Sequence, residues 1–176
     1  MLYLKYLKKY FLNMCQRDAS NKIIYKKTMR IALFEPDIPQ NAGNIFRLGA
    51  CLGIPVDIIE PAGFVIDDKR LKRATMDYYD YLELRKHLSW EKFYEWSKDN
   101  SYRLVLLTTK SKKSYFDYKF QSNDIILFGR ESAGAPDFVH SSVDERLTIP
   151  MIKGPRSINL SSSVAIVAGE MLRQLT

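Results

Sequence analysis

Short apolar runs alternate with amphipathic stretches along most of the chain. Runs of about five apolar residues that are bounded by turn residues are typical of strands buried on both faces of a parallel sheet. They predict strands at 30–35, 54–60, 103–108, 124–129 and 146–150, with a less regular strand at 78–84. Helical spacing predicts helices at 41–52, 90–98 and 161–175, and a short basic helix at 67–73. The order of these elements predicts an α/β fold, with a mostly parallel sheet and helices on both faces.

The first and last predicted helices carry further signals. Asn41 is predicted to be the N-cap of the first helix, because its side-chain oxygen can accept a hydrogen bond from the first turn. Gly53 is predicted to end that helix, because glycine readily adopts the left-handed conformation that closes many helices. The last helix is dense in Ala, Val and Ile over 164–172. This apolar surface is broader than one face of a monomer needs, so either core packing or a dimer interface explains it.

The positive charge of the chain is concentrated in its first 28 residues. Of the 27 basic and 20 acidic residues, positions 1–28 hold seven and one, so positions 29–176 hold 20 and 19. The full chain is 46% hydrophobic and 27% charged, as is usual for globular proteins, and positions 29–176 are predicted to form one domain. Positions 1–28 are interpreted as a basic extension that is dispensable or disordered, or as the result of an upstream start codon with Met29 as the functional start. The alternative is a basic amphipathic arm that contacts RNA or a membrane surface.

Several chemistries lack their sequence signals. The two cysteines, Cys15 and Cys51, do not suggest a disulfide framework, which fits a reducing cytoplasm. The two histidines, His87 and His140, are far apart, and no His/Cys cluster has metal-ligand spacing, so no metal site is predicted. The motifs of dinucleotide folds, P-loop NTPases and hydrolase nucleophile elbows do not occur. Positions 1–28 are too short and too charged to span a membrane.

Three segments rich in Gly, Pro, Asn and Arg each follow a predicted strand and precede a helix. They cover 38–47, 128–136 and 149–161. Ligands of open α/β domains bind at the carboxyl ends of strands, so three such loops can build one site. Gly129 lets a ligand approach the backbone closely, while Arg47 and Arg156 can hold phosphate. Alone, Asn41 is explained as a helix cap and Gly129 as a turn, but together the loops favour a nucleotide-type site.

The three loops carry motifs that are specific in combination. They read Pro-x-Asn-x-Gly-Asn-x-x-Arg from Pro39, Phe-Gly-x-Glu-x-x-Gly-x-Pro from Phe128, and Ile-Pro-Met from Ile149 followed by Arg-Ser-x-Asn-Leu-Ser from Arg156. In this order they resemble the SPOUT, or trefoil-knot, RNA 2′-O-ribose methyltransferases, most of all the small bacterial members that act on the wobble ribose of tRNA. The resemblance spans about residues 29–176. It implies a deep trefoil knot in the C-terminal third, S-adenosylmethionine as cofactor, and a homodimer that binds the RNA.

The resemblance also implies roles for individual residues. The knot loops would hold S-adenosylmethionine through backbone groups near Leu107, Gly129 and Ile149, with Ser157 beside it. Arg47 is implied as the residue that activates the attacking 2′-hydroxyl. Because a guanidinium stays protonated, with a pKa above about 12, we interpret Arg47 as an electrostatic partner. Arg47 would lower the pKa of the hydroxyl and bind the adjacent phosphate.

The other polar residues of the loops are expected to support this chemistry. Glu131 either orients Arg47 or acts on the cofactor side of the site. Ser157 and Asn159 would position the substrate ribose or the cofactor. Asn41 would hold the first loop in place.

The predicted function is S-adenosylmethionine-dependent 2′-O-methylation of the wobble ribose by a cytoplasmic homodimer. The acceptor would be cytidine or uridine at position 34, in the anticodon stem-loop of tRNA. Such an enzyme must align the hydroxyl with the methyl group and help to remove the hydroxyl proton. One alternative is 2′-O-ribose methylation at another position of tRNA or rRNA. Another is a catalytically silent module that binds RNA or a nucleotide and need not bind S-adenosylmethionine.

Overall fold

The computed structural model describes residues 15–17, 23–25, 29–65, 81–152 and 157–175. The predicted helix at 67–73 and the predicted phosphate contact of Arg156 lie outside these residues. Two short strands, β1 (Cys15–Arg17) and β2 (Ile23–Tyr25), form an antiparallel pair of their own. Among the described residues, no helix has the length and apolar character needed to cross a membrane.

Within the ranges that the structure describes, six parallel strands form the central sheet. They are β3 (Arg30–Phe34), β4 (Val56–Ile59), β5 (Leu84–His87), β6 (Arg103–Leu107), β7 (Asp124–Phe128) and β8 (Glu145–Leu147). Their order is β5-β4-β3-β7-β6-β8, and every neighbouring pair is parallel. The central strands β3 and β7 are buried along their whole length. Leu107 pairs with both Phe128 and Leu147, so the carboxyl ends of β6, β7 and β8 meet at one edge.

Helices cover both faces of this sheet. They are α1 (Pro39–Leu52), α2 (Trp90–Asp99), α3 (Asp137–Ser142) and α4 (Leu160–Leu175), with a short 3-10 helix at Tyr115–Asp117. Side chains alternate along each strand. Ile31 and Leu33 of β3 therefore join the apolar cluster of α1 and α4, whereas Ala32 and Phe34 join that of α2 and α3. The predicted α/β fold, with a mostly parallel sheet and helices on both faces, is confirmed.

The start of the first helix differs from the prediction. Asn41 is not the N-cap, because α1 begins two residues earlier, with Ile38 at the N-cap and Pro39 as its first residue. Proline suits that position, since the first N–H groups of a helix have no acceptor within the helix. Asn41 is therefore inside the helix and buried, which frees its side chain to contact other loops. Gly53 ends α1 in the left-handed conformation with a φ of 65°, as predicted.

The strand predicted at 78–84 is wrong in its position. The structure has β5 at Leu84–His87, and positions 78–80 lie outside the described residues. β5 is an edge strand, and an edge position tolerates charged, exposed residues such as Arg85 and Lys86. The strand therefore has few apolar residues. Arg85 covers the ring of Trp96 on α2, with 4.5 Å between the guanidinium carbon and the ring centre. A search for apolar runs does not detect a strand of this kind.

Candidate active site

The three polar loops meet in a cavity of about 520 Å³, beyond the carboxyl ends of β3, β7, β6 and β8. Its walls comprise Ile38 and Asn41, positions 107–110, 128–131, 133–135 and 148–149, His140, Met151, positions 157–160 and Ser163. Parallel strands bring their carboxyl ends to the same edge of the sheet. Segments as far apart as 118 residues therefore contact each other here.

Seven of the eight predicted site residues line this cavity. They are Asn41, Glu131, Ser157, Asn159, Leu107, Gly129 and Ile149. Arg47 does not line it: this residue is exposed on α1, six positions after Asn41. Six residues of helix correspond to about 9 Å along the axis and a direction about 120° away around it. Arg47 therefore belongs to the exposed surface of α1 rather than to the interior of the cavity.

A chain of hydrogen bonds joins the three loops. One carboxylate oxygen of Glu131 accepts from the side-chain amide of Asn41 at 3.0 Å, and the other accepts from the backbone N–H of Asp37 at 2.8 Å. The side-chain oxygen of Asn41 accepts from the amide of Asn159 at 2.9 Å. Asn159 also caps α4, because its own Oδ1 accepts from the backbone N–H of Ser162 at 3.3 Å. Asn41 thus connects the first loop to both of the others.

Asp37 and Ser132 form a second tie between the first two loops. The Asp37 carboxylate accepts hydrogen bonds from the hydroxyl of Ser132 and, at 3.2 Å, from its backbone N–H. Asp37 was not predicted as a site residue, and its one sequence signal is an acidic side chain close behind a buried strand. Hydrogen bonds to charged groups contribute up to about 1.5–3 kcal/mol each. The ties therefore hold the loops in their relative positions.

Gly129 is required by the second loop itself. A Cβ atom at this position would lie 2.3 Å from the backbone carbon of Gly134 and 2.4 Å from the backbone nitrogen of Ala135. Two backbone hydrogen bonds of 3.1 and 2.9 Å join Arg130 to Gly134, which has a φ of 68°. The missing side chain therefore lets the loop close on itself, so the turn alone already requires a glycine here. The backbone at Gly129 still lines the cavity.

His140 lines the cavity but was not predicted as a site residue. It lies on α3 and is 8% exposed. Its Nε2 atom is buried and has no hydrogen-bond partner among the described residues. Burial lowers the pKa of His140, and the charges of Lys110 and Arg146 lower it further. A neutral imidazole at neutral pH follows from these surroundings.

Charged residues of the cavity wall are paired within the protein. The guanidinium of Arg130 is paired with Glu35, and the ammonium of Lys110 lies 3.5 Å from a carboxylate oxygen of Asp137. Glu131 is engaged by the first loop. Within the described ranges, no group of three His, Cys, Asp or Glu residues could hold a metal ion. The cavity therefore suits a ligand that is recognised mainly by backbone groups and neutral side chains.

Comparison with known proteins gives a consistent set of relatives. The profile of the SpoU rRNA Methylase family matches residues 28–169. A tRNA (cytidine(34)-2′-O)-methyltransferase of Beijerinckia indica subsp. indica is 49% identical over 145 residues, which make up 82% of this chain and 91% of that protein. A solved structure described as "Structural insights into the 2-OH methylation of C/U34 on tRNA" is 38% identical with a TM-score of 0.79, and the match covers 85% of this chain and 97% of that one.

The fold is shared with more distant proteins. The SpoU methyltransferase AviRb from Streptomyces viridochromogenes, solved in complex with AdoMet, has a TM-score of 0.78 at 22% identity. That match covers 90% of this chain and 65% of the other, and at this identity it concerns the fold alone. The parallel sheet, the cavity between the three loops and the relatives all agree with the motifs read from the sequence. The chain belongs to the SpoU rRNA Methylase family.

Proposed function

We propose that this chain is an S-adenosylmethionine-dependent methyltransferase that modifies the ribose 2′-hydroxyl of cytidine or uridine 34 in tRNA. The observation that carries the proposal is the cavity in which three family motifs meet, with Asn41, Glu131 and Asn159 hydrogen-bonded across it. The relative that is 49% identical acts, by its name, on cytidine 34 of tRNA, and the structure that is 38% identical concerns C/U34. A tRNA substrate places the proposed reaction in the cytoplasm.

The cavity fits S-adenosylmethionine in size and chemistry. Its volume of about 520 Å³ lies within the range of about 300–1,000 Å³ that small-molecule sites occupy. The buried Nε2 of His140 lacks a partner within the described part of the chain, and a hydrogen-bond donor on a ligand would supply one. In this proposal Leu107, Gly129, Ile149 and Ser157 hold the cofactor. When bound, the cofactor supplies a methyl group that is activated by its sulfonium.

Glu131, Asn41 and Asn159 act as positioning residues. Their side chains bond one another, so they fix the loops rather than contact the reacting atoms. Glu131 accepts hydrogen bonds from Asn41, in the first turn of α1, and from Asp37, just before that helix. The same helix carries Arg47. In this way Glu131 would orient Arg47 through the helix. Holding the reacting groups in line can lower a barrier by about 7–11 kcal/mol.

Arg47 acts on the RNA from the exposed surface of α1. A large RNA can contact this surface while its target ribose reaches the cofactor in the cavity. A guanidinium stays protonated and cannot take up the hydroxyl proton. Arg47 instead stabilises the negative charge that develops on the 2′-oxygen and contacts a neighbouring phosphate.

We also propose a homodimer that pairs through α4. The core of this chain already accounts for four apolar residues of the helix: Val164, Val167, Ala168 and Met171. On another side of α4, Ala165, Ile166 and Gly169 are exposed, and such small residues let a second helix approach closely. Sedimentation equilibrium should therefore give twice the chain mass of 20.5 kDa. Ile166→Arg should shift the protein to the monomer, and a wild-type monomer would contradict the proposal.

The trefoil knot implied by the resemblance is a further part of the proposal. Membership of the family supports it, as does the path of the chain, which leaves β8 at one edge of the sheet and returns to place α4 against α1. A crystal structure that follows 148–160 through a loop of the chain would support the knot. A path that stays outside every loop would contradict it.

Purified protein, S-adenosylmethionine and unmodified tRNA test the proposed activity. The expected product carries one 2′-O-methyl ribose at nucleotide 34, located by mass spectrometry of nuclease fragments. Methylation of a different tRNA or rRNA nucleotide would favour the first alternative. Calorimetric titration with S-adenosylhomocysteine, without RNA, separates an enzyme from a silent module, because such a module need not bind this ligand.

A further inference from the structure

His140 is a buried residue whose ring has a nitrogen without a hydrogen-bond partner among the described residues. Its Nε2 atom is buried at the cavity wall, without a hydrogen-bond partner in the part of the chain that the structure describes. Native proteins rarely leave such an atom unpaired unless a ligand or a water molecule completes it. The ties between the loops run through Asn41, Glu131 and Asn159, and they leave His140 out. His140 is thus placed to meet a ligand.

The surroundings of His140 define its tautomer. The ring forms a hydrogen bond with the backbone of Ala135 that favours the protonated form, so the ring is the donor and a carbonyl oxygen is the acceptor. Because Nε2 is the unpartnered atom, the donor is Nδ1–H, and the lone pair of the neutral ring is on Nε2. Burial, Lys110 and Arg146 outweigh the bond to Ala135 and lower the pKa. At neutral pH, Nε2 therefore accepts hydrogen bonds.

Asn41 and Lys110 line opposite sides of the cavity. Asn41 follows β3, whereas Lys110 follows β6, two strands away from β3 in the sheet. Strands are spaced by about 4.8 Å, so these two sides are separated by about 10 Å. His140 belongs to the side of Lys110, since Lys110 and Arg146 both act on its pKa. Asp137 offsets part of the charge of Lys110. The positive charge that remains from Lys110 and Arg146 favours an uncharged part of the cofactor beside His140 over its sulfonium or ammonium.

We propose that His140 recognises the adenine base of the cofactor, with Nε2 accepting a hydrogen bond from the exocyclic amine. This amine is an uncharged donor at the end of the molecule that is remote from the sulfonium. A base with an oxygen in place of the amine would point a lone pair at Nε2 and be rejected. The inference rests on the proposed function, because it requires that the cavity holds S-adenosylmethionine. It makes His140 a residue that determines cofactor specificity.

Calorimetric titration with two ligands tests this inference. S-adenosylhomocysteine carries the amine, and S-inosylhomocysteine carries an oxygen in its place. His140→Leu removes the acceptor, while His140→Gln keeps a side-chain oxygen that can accept a hydrogen bond. Ser141→Ala is the matched control, because Ser141 is the next residue of α3 and is exposed. Thermal denaturation establishes that each variant is folded before the titrations are compared.

We expect the wild-type protein to prefer S-adenosylhomocysteine by about tenfold or more, and His140→Leu to remove about tenfold of that preference. His140→Gln should recover part of it, and Ser141→Ala should bind as the wild type does. A folded His140→Leu protein with an unchanged preference would overturn the inference and leave the proposed function intact. Equal losses for both ligands would also overturn it, because His140 would then contact another group. A wild-type protein that binds neither ligand would contradict the proposed function and the inference together.

Discussion

Two of the polar clusters in the described part of the chain invite comparison, one at the carboxyl edge of the sheet and one on the face that α2 covers. The first joins three loops and lines the cavity. The second joins three neighbouring strands. Nε of Arg30 on β3 donates to Asp57 on β4 at 2.6 Å, and the other Asp57 oxygen lies 2.8 Å from Nε2 of His87 on β5. None of these three residues lines the cavity.

The two clusters differ in what their bonds connect. Backbone hydrogen bonds already align β3, β4 and β5, so the pair between Arg30 and Asp57 strengthens an arrangement that exists without it. Burial alone would lower the pKa of the Arg30 guanidinium, but Asp57 and Glu83 raise it. The loop cluster instead connects segments that no sheet bonds hold together, so it determines the shape of the site. Buried charge alone does not mark a functional site, whereas polar bonds between loops at strand ends do.

Asp57→Ala should have the largest effect on stability. Removing Asp57 takes away the buried partner of Arg30 and leaves it the exposed carboxylate of Glu83. Breaking a buried ion pair costs about 3–5 kcal/mol. The free energy of unfolding, measured by chemical denaturation at equal protein concentration, should fall by this amount. The affinity of the folded variant for S-adenosylhomocysteine should stay within about twofold of the wild type, since Asp57 does not line the cavity. A loss of stability below about 1 kcal/mol would show that this cluster is not the stabilising one.

Arg47→Ala should affect the reaction and spare both clusters. Methyl transfer to tRNA in single turnovers should fall by about 10²–10³-fold, the usual cost of a lost electrostatic stabiliser. Binding of S-adenosylhomocysteine should hardly change, because Arg47 does not line the cavity. Arg47→Lys should also be slow, since it keeps the charge but loses the planar donor fork. Lys92→Ala on α2 serves as an exposed control. A rate for Arg47→Ala within a few-fold of the wild type would remove Arg47 from the mechanism.

Glu131→Gln tests whether the loop cluster shapes the site. The amide keeps one oxygen as an acceptor but turns an N–H toward Asn41 or Asp37, both of which donate to Glu131. We expect a loss of about 1–3 kcal/mol in unfolding free energy. S-adenosylhomocysteine affinity should fall roughly tenfold, in contrast to Asp57→Ala. Glu95→Gln is the control, because Glu95 pairs with Lys92 on the exposed surface of α2. Unchanged ligand affinity in Glu131→Gln would mean that the two clusters do not differ in function.

His140 extends the comparison to a polar group whose Nε2 atom has no hydrogen-bond partner among the described residues. Its folded-state pKa is lowered, so the ring is neutral at pH 7 and loses its acceptor as the pH falls through that lowered pKa. Lys110 and Arg146 oppose protonation, and Asp137 favours it. Affinity for S-adenosylhomocysteine should therefore be constant above the ordinary histidine pKa of about 6.5 and fall up to about tenfold per pH unit at lower pH. His140→Gln should flatten this profile, and identical profiles for the two proteins would contradict the assignment.

The residues named in the two clusters all follow position 28, and removal of positions 1–28 should have the smallest effect. Residues 29–176 hold 20 basic and 19 acidic side chains, so RNA contacts there depend on local groups rather than on net charge. A protein that starts at Met29 should keep most of its rate of tRNA methylation. A loss of more than about tenfold, which is about 1.4 kcal/mol, would show that the extension contributes to RNA binding.

Much of the sheet and of the cavity wall could be predicted from the sequence. β3 and β7 are apolar and buried on both faces, so their composition is enough to identify them. β5 could not be placed, because an edge strand with exposed Arg85 and Lys86 has no apolar run. The polar loops were recognisable from their Gly, Pro and Asn content at strand ends.

The partners of individual side chains were not predictable in the same way. The residue type and position of Asn41 predict a helix cap. Its contacts in the structure are with Glu131 and Asn159, which are 90 and 118 residues away, and a local pattern does not reveal such contacts. His140 had no local signal at all. Its importance depends on burial and on the charges of Lys110 and Arg146, which only the folded chain brings near it.

The most direct test uses tRNA that lacks one oxygen atom. Two tRNA samples are prepared by ligation, one with a normal ribose at nucleotide 34 and one with a 2′-deoxyribose at that nucleotide. Both are incubated with the wild-type protein and S-adenosylmethionine that is labelled in its methyl group. The proposed reaction predicts one methyl group per molecule of the normal tRNA and background labelling of the 2′-deoxy tRNA. Equal labelling of the two would contradict the assignment of the wobble 2′-hydroxyl as the methyl acceptor.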